Sequence, residues 1–179
     1  MAKTILITGA SSGIGASTAK LFLSRGWNVG LIARREDKLT IIANDHGNSL
    51  CVKCDVCQEN QVKNAFQLMV DHFGAVDVLF NNAGIFTPQA RIDQIDINDW
   101  QKSIDVNLTG MFLAAREAFR HMTKSGGRII NNGSISAHTP REGSAPYTST
   151  KHAITGLTKT IALDGRDLNI CCGQIDIGN

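Results

Sequence analysis

Two rhythms of apolar and polar positions alternate along this chain. Short, largely apolar runs recur at Thr4–Thr8, Trp27–Ala33, Ser49–Cys54, Val76–Phe80, Arg128–Asn132 and Asp167–Cys172. Their length and apolar continuity predict strands buried on both faces. Helical spacing fills the gaps. Ile14, Thr18, Leu21 and Phe22 follow the first run, with Gly26 placed to end the helix. Val62, Phe66, Met69, Val70 and Phe73 stand at i, i+4, i+7, i+8 and i+11. Further helices are expected from Glu36 to about Asp45, from about Asn98 to Thr123 before Gly126-Gly127, and from about Pro146 to Leu163. Strands alternating with amphipathic helices predict the α/β class: a doubly wound, six-stranded parallel sheet of the Rossmann type with right-handed crossovers. The whole chain, 1–179, reads as one domain with no linker or repeat.

Composition narrows the setting. A formal net charge of +2 and scattered basic residues give no argument for nucleic acid or an anionic membrane. No apolar stretch is long enough to cross a bilayer, and Met1–Ile7 reads as a first strand, not an export signal. Five cysteines, an odd number, fit a reducing cytoplasm better than a disulfide framework. Cys51, Cys54 and Cys57 form a C-x2-C-x2-C run, but no fourth cysteine follows closely, so ordinary thiols and no metal site are expected.

Chemistry-bearing residues fall at the carboxyl ends of the strands, where ligands bind in such sheets. Gly9-Ala10-Ser11-Ser12-Gly13-Ile14-Gly15 joins strand one to the first helix. Its glycines allow a tight turn and let backbone approach a pyrophosphate at the helix N-terminus. The spacing is G-x3-G-x-G, a departure from G-x-G-x-x-G. At the end of strand two, Ala33 stands where an acid for a ribose 2′-hydroxyl is expected, followed by Arg34 and Arg35. A guanidinium there suits a 2′-phosphate, so NADP(H) is favoured over NAD(H). The alternative is that both arginines are surface residues and Glu36 or Asp37 reaches the ribose.

Tyr147 and Lys151 form a Y-x3-K pair at the start of a predicted helix, on one face. A phenol beside an ammonium and a helix N-terminus is a plausible acid–base group for alcohol and carbonyl chemistry. Ser134, thirteen residues before Tyr147, follows strand five, with Ser136 as a competitor. Asn107, with Gly110 behind it, is a poor mid-helix choice and predicts a local kink.

Taken in order, residues 8–15, 81–84, 107–110, 134 and 147–151 resemble the short-chain dehydrogenase/reductase family over nearly the whole chain. The resemblance implies a catalytic tetrad of Asn107, Ser134, Tyr147 and Lys151. Ser134 would hold the substrate oxygen, Lys151 the nicotinamide ribose, and Asn107 a water leading to solvent. It implies cofactor contacts from Gly9, Ser11, Ser12, Gly13, Ile14 and Gly15, with Asp55-Val56 at the adenine and Asn82-Ala83-Gly84 beside the cofactor. After strand six the family places a proline–glycine turn by the nicotinamide. Here Cys172 takes the proline's place and Ile177 that of a threonine, leaving Gly173 and Ile175 as backbone contacts. The family continues beyond Asn179 into a substrate-covering lobe and a seventh strand, so the chain is expected to be C-terminally incomplete. The function expected is NADP(H)-dependent hydride transfer with a small carbonyl or alcohol substrate, in a homodimer or homotetramer. Alternatives are an NAD-dependent alcohol dehydrogenase of the same fold and a non-catalytic NADP(H)-binding sensor or scaffold.

Overall fold

The computed structural model describes residues 2–44 and 46–178. Six strands form one sheet: β1 (Thr4–Thr8), β2 (Asn28–Ala33), β3 (Ser49–Lys53), β4 (Val78–Asn81), β5 (Gly127–Asn132) and β6 (Ile170–Ile175). Their order is β3-β2-β1-β4-β5-β6, and every pairing is parallel. The direction of growth reverses at β1, so the edges of β1 and β4 part at their carboxyl ends and leave a crevice.

Side chains alternate across the sheet, which divides the core in two. Ile5, Ile7, Val29 and Leu31 face α1 (Gly13–Ser24) and α2 (Glu36–Ala43). Leu6, Ile32, Leu79 and Ile129 face α3 (Glu59–Phe73), α5 (Gly110–Met122) and α6 (Ala145–Asp164). On α3 the expected apolar stripe buries Val62, Phe66 and Met69, each stabilising by about 1.5–3 kcal/mol relative to exposure. The helix expected over residues 98–123 is present as α4 (Ile97–Ile104), a π-type turn at Asp105–Thr109 and α5 in one continuous path. The kink expected at Asn107 is that turn.

Several strand boundaries move, most of them by one or two residues. Trp27 precedes β2 and meets Phe22 edge to face, ring centroids 4.9 Å apart. Strand β4 starts at Val78, two residues later than its apolar run suggests. The larger correction concerns β6. Arg166–Leu168 form a 3-10 turn, and Asn169 takes a left-handed conformation, φ 55°, before the strand begins at Ile170. Cys172 and Gly173 therefore lie inside β6, opposite Ile129 and Ile130, and not in a turn beyond it. Asp45, the expected end of α2, and Asn179 lie outside the described residues; Asn44 caps α2 in the left-handed region.

Gly30 shows how closely α3 sits on the sheet: a Cβ there would stand 2.3 Å from the sulfur of the fully buried Met69. Gly30→Ala is expected to cost about 1–3 kcal/mol through overpacking. In urea unfolding the penalty should shrink by at least about 0.5 kcal/mol when Met69→Ala vacates the same space.

Candidate active site

Thr8, at the end of β1, organises the crevice. Its hydroxyl accepts hydrogen bonds from the backbone N–H groups of Asn82 and Ala83, both at 2.9 Å. The Asn82 amide donates back to Thr8 O at 3.0 Å and accepts from Asn132 Nδ2 at 2.8 Å. Lys151 Nζ, from α6, donates to Asn132 O at 2.6 Å. One hydrogen-bonded path thus ties the ends of β1, β4 and β5 to the lysine. Gly15 holds α1 against this frame: a Cβ on it would meet Gly9 O at 2.5 Å. The first turn of α1 therefore opens towards the crevice with its backbone N–H groups.

A cavity of about 460 Å³ runs along these strand ends. At one end lie Gly9, Ser11, Ser12, Ile14, Arg34, Arg35, Asp55 and Val56; in the middle Asn82, Ala83 and Gly84; at the other end Ser134, Tyr147 and Lys151. Arg35, not Arg34, is tied to the glycine turn: its Nη2 donates to Ser11 Oγ at 2.9 Å and Ser12 Oγ at 3.1 Å. Asp55 is held by its own turn, accepting from Cys57 N at 3.0 Å. Gly13 and Gly15 shape the turn without lining the cavity, and Gly13 takes φ 53°. Gly173 and Ile175 do not line the cavity. Both sit within β6, and Ile177 is the residue of this segment that reaches the cavity.

At the chemical end each group has a defined posture. Ser134 Oγ accepts from Ser136 N at 3.1 Å, so its hydroxyl hydrogen stays available to the cavity. Ser136 is fully buried and does not line the cavity, which separates the two candidates. Pro146 lies in the first turn of α6, where its missing N–H leaves no unmet donor, and Tyr147 follows. Lys151 Nζ stands 5.5 Å from the centre of the Tyr147 ring. Burial lowers the Lys151 pKa to about 8, against a smaller upward pull from Asp176.

Asn107 does not line the cavity. Its Oδ1 accepts from Ile85 N at 2.7 Å while Nδ2 donates to Ile85 O at 2.9 Å, a reciprocal clamp on the segment after β4. The same amide nitrogen lies 3.5 Å from Thr150 Oγ1, which donates to Tyr147 O at 2.8 Å. The π-type turn is what aims Asn107 inward at this junction.

Several contributors were not singled out in the sequence. Phe86 stacks on Tyr147 with ring centroids 3.9 Å apart, and Arg141 also lines the cavity. Asp176 accepts from Ser134 N at 3.0 Å and Gln174 Nε2 at 2.5 Å, and pairs with His138 at 2.7 Å. Burial pushes its carboxyl up, but these partners outweigh burial and hold it below the usual carboxylate range. A carboxylate this near the serine needs Gly133, where a Cβ would collide with Asp176 Oδ1. The signal for Asn132 was readable: two asparagines closing a strand are poor strand formers and need a purpose. All five cysteines are free thiols, Cys54 among them lining the cavity, and burial raises the Cys54 and Cys57 thiols to about 12. No described helix is long and apolar enough to cross a membrane.

Lys151 carries a stability consequence. Its folded-state pKa lies below the ordinary 10.5 of an unfolded chain, so between about pH 8 and 10.5 the unfolded state binds more protons and this group's contribution to stability rises with pH. Lys151→Met is expected to be at least as stable as wild type at pH 7, with its advantage shrinking towards pH 10 in urea midpoints. A gap that widens with pH would contradict the buried-ammonium picture.

The same arrangement recurs elsewhere. A family profile described as short chain dehydrogenase matches residues 3–179. The chain is 34% identical over 177 residues to a 3beta-hydroxysteroid dehydrogenase of Mediterraneibacter gnavus, covering 97% of this chain and 64% of that protein's length. It is 34% identical over 183 residues to glucose 1-dehydrogenase 2 of Bacillus subtilis, covering 98% of this chain and 71% of that one. A crystal structure of a 3-ketoacyl-(acyl-carrier-protein) reductase from Brucella melitensis, complexed with NADH, superposes with a TM-score of 0.93 at 29% identity, covering 97% of this chain and 74% of the other. With the strand order, the crevice and these likenesses in agreement, the chain belongs to the short-chain dehydrogenase family.

Proposed function

We propose that this protein is an NADP(H)-dependent oxidoreductase that interconverts a small carbonyl compound and its secondary alcohol. The observation that carries the reading is one continuous cavity with Ser134, Tyr147 and Lys151 at one end and Arg34 and Arg35 at the other. The residues present suit the cofactor. Gly13 carries no side chain into open space, Ser11 and Ser12 offer hydroxyls, and the two guanidiniums after β2 would suit a ribose 2′-phosphate. When bound, the nicotinamide supplies or accepts the hydride.

The chain's own residues account for the proton and the oxygen. Ser134 donates its free hydroxyl hydrogen to the substrate oxygen, and Tyr147 delivers a proton to that oxygen as carbonyl becomes alcohol. The Lys151 ammonium offsets the negative charge left on the phenol oxygen and is fixed for that task by Asn132 O. Asn107 acts through Ile85 and Thr150 as a positioning residue. In the alcohol-to-carbonyl direction Tyr147 takes the proton instead. The exposed Phe112 and Leu163 on α5 and α6 support a dimeric or tetrameric assembly through these helices.

The NADH bound to the Brucella reductase favours a second reading, in which NAD(H) is the working cofactor. Two measurements separate the possibilities. Tyr147→Phe should slow NADPH-dependent turnover of a carbonyl panel by at least about 100-fold while NADPH still binds. Equal rates would leave a nucleotide-binding protein without this chemistry. Arg35→Ala and Arg34→Ala should each weaken NADPH binding about 10-fold or more and leave NADH nearly unaffected. Unchanged NADPH affinity in both would favour the NAD(H) reading.

A further inference from the structure

The cavity contains one cation that neither the cofactor nor the proton chemistry uses. Arg141 lies between the Ser134 turn and α6, and its backbone is held firmly. Ser144 Oγ donates to Arg141 O at 3.0 Å, and Ala90 N donates to Gly143 O at 3.0 Å. The guanidinium itself has no hydrogen bond or ion pair among the described residues. Asp176, nearby in the fold, is committed to Ser134, Gln174 and His138. The one carboxylate lining the main cavity among the described residues is Asp55, at the opposite end beyond β3.

Arg141 also borders a second, smaller cavity of about 280 Å³. No acidic side chain lines it among the described residues. An unpaired guanidinium with no acidic side chain around it offers a planar donor fork suited to a carboxylate. Ile85 and Phe86 give the main cavity an apolar stretch of wall, with Phe86 against Tyr147.

We infer that Arg141 is the specificity-determining residue for a substrate that carries a carboxylate, an oxo or hydroxy acid with an apolar body. Its carbonyl or alcohol oxygen faces Ser134 and Tyr147, and its carboxylate is held by the Arg141 fork. This rests on the oxidoreductase reading above and adds to it the class of substrate.

The test compares keto acids of graded length and bulk with their methyl esters, using wild type, Arg141→Gln and Arg141→Lys. Wild type should prefer the acids in kcat/KM. Arg141→Gln should cut the acid-over-ester ratio by about 10- to 100-fold, mainly through the KM of the acids. Arg141→Lys should fall between, since an ammonium keeps the charge and loses the fork. An acid-over-ester ratio unaltered in Arg141→Gln, or no preference in wild type, overturns the inference while Tyr147-dependent turnover upholds the parent reading. Preference for a phosphorylated ketone over every keto acid overturns the carboxylate assignment. If no carbonyl is turned over, the parent reading fails instead. Quenching of bound NADPH fluorescence by keto acids, lost in Arg141→Gln, then decides whether the carboxylate site stands.

Discussion

The hydrogen-bonded path from Thr8 through Asn82 and Asn132 to Lys151 is the constraint on which the site depends. Parallel strands present their carboxyl ends with backbone groups that the ladder no longer satisfies, and a crevice there needs polar side chains to meet them. Here the side chains that meet those groups also set the spacing of the crevice. Thr8 fixes the segment after β4, Asn82 and Asn132 fix the gap between β4 and β5, and Asn132 O fixes the ammonium. A lysine this buried is costly, and the carbonyl at 2.6 Å gives it a partner that no carboxylate could replace without cancelling its charge.

A second polar layer lies one residue back along the same strands and serves packing. Asn81 Nδ2 donates to Met111 O at 2.7 Å, and Asn131 Nδ2 donates to Thr158 Oγ1 at 2.9 Å. Both asparagines are buried, so these bonds lock α5 and α6 in register with β4 and β5. Consecutive asparagines thus divide the labour: one of each pair orients a helix, the other the cavity. The π-type turn adds the remaining adjustment, turning Asn107 towards Ile85 where an unbroken α-helix would carry it past.

Much of this was legible in the residues. The strands β1 and β2 follow from apolar continuity, because burial on both faces leaves little choice of residue, and the stripe on α3 follows from helical spacing. The Y-x3-K pair and Ser134 were legible from spacing, since a helix fixes what lies four residues on. Strand β6 was misplaced because Asp167 and Leu168 resemble a strand start, while the left-handed Asn169 that delays it leaves no periodic trace. That offset carried Gly173 and Ile175 into an assignment the cavity does not support. Which of two adjacent arginines reaches the serines depends on side-chain torsions, and the pattern Ala-Arg-Arg is silent on them. Arg141 belongs to no motif, and its lack of a partner is a property of three dimensions.

The sequence separations along the organising path have a kinetic meaning. Arg35 and Ser11 are 24 residues apart and are joined by a single crossover, whereas Thr8 and Asn82 are 74 apart and Asn82 and Asn132 are 50 apart. Closing longer loops costs more entropy, so the contacts at the Arg35–Ser11 end are cheaper for the chain to form than those that join Thr8, Asn82 and Asn132. A dinucleotide long enough to touch both ends of the cavity selects chains in which both halves have docked, and its binding free energy appears as resistance of the whole sheet to unfolding.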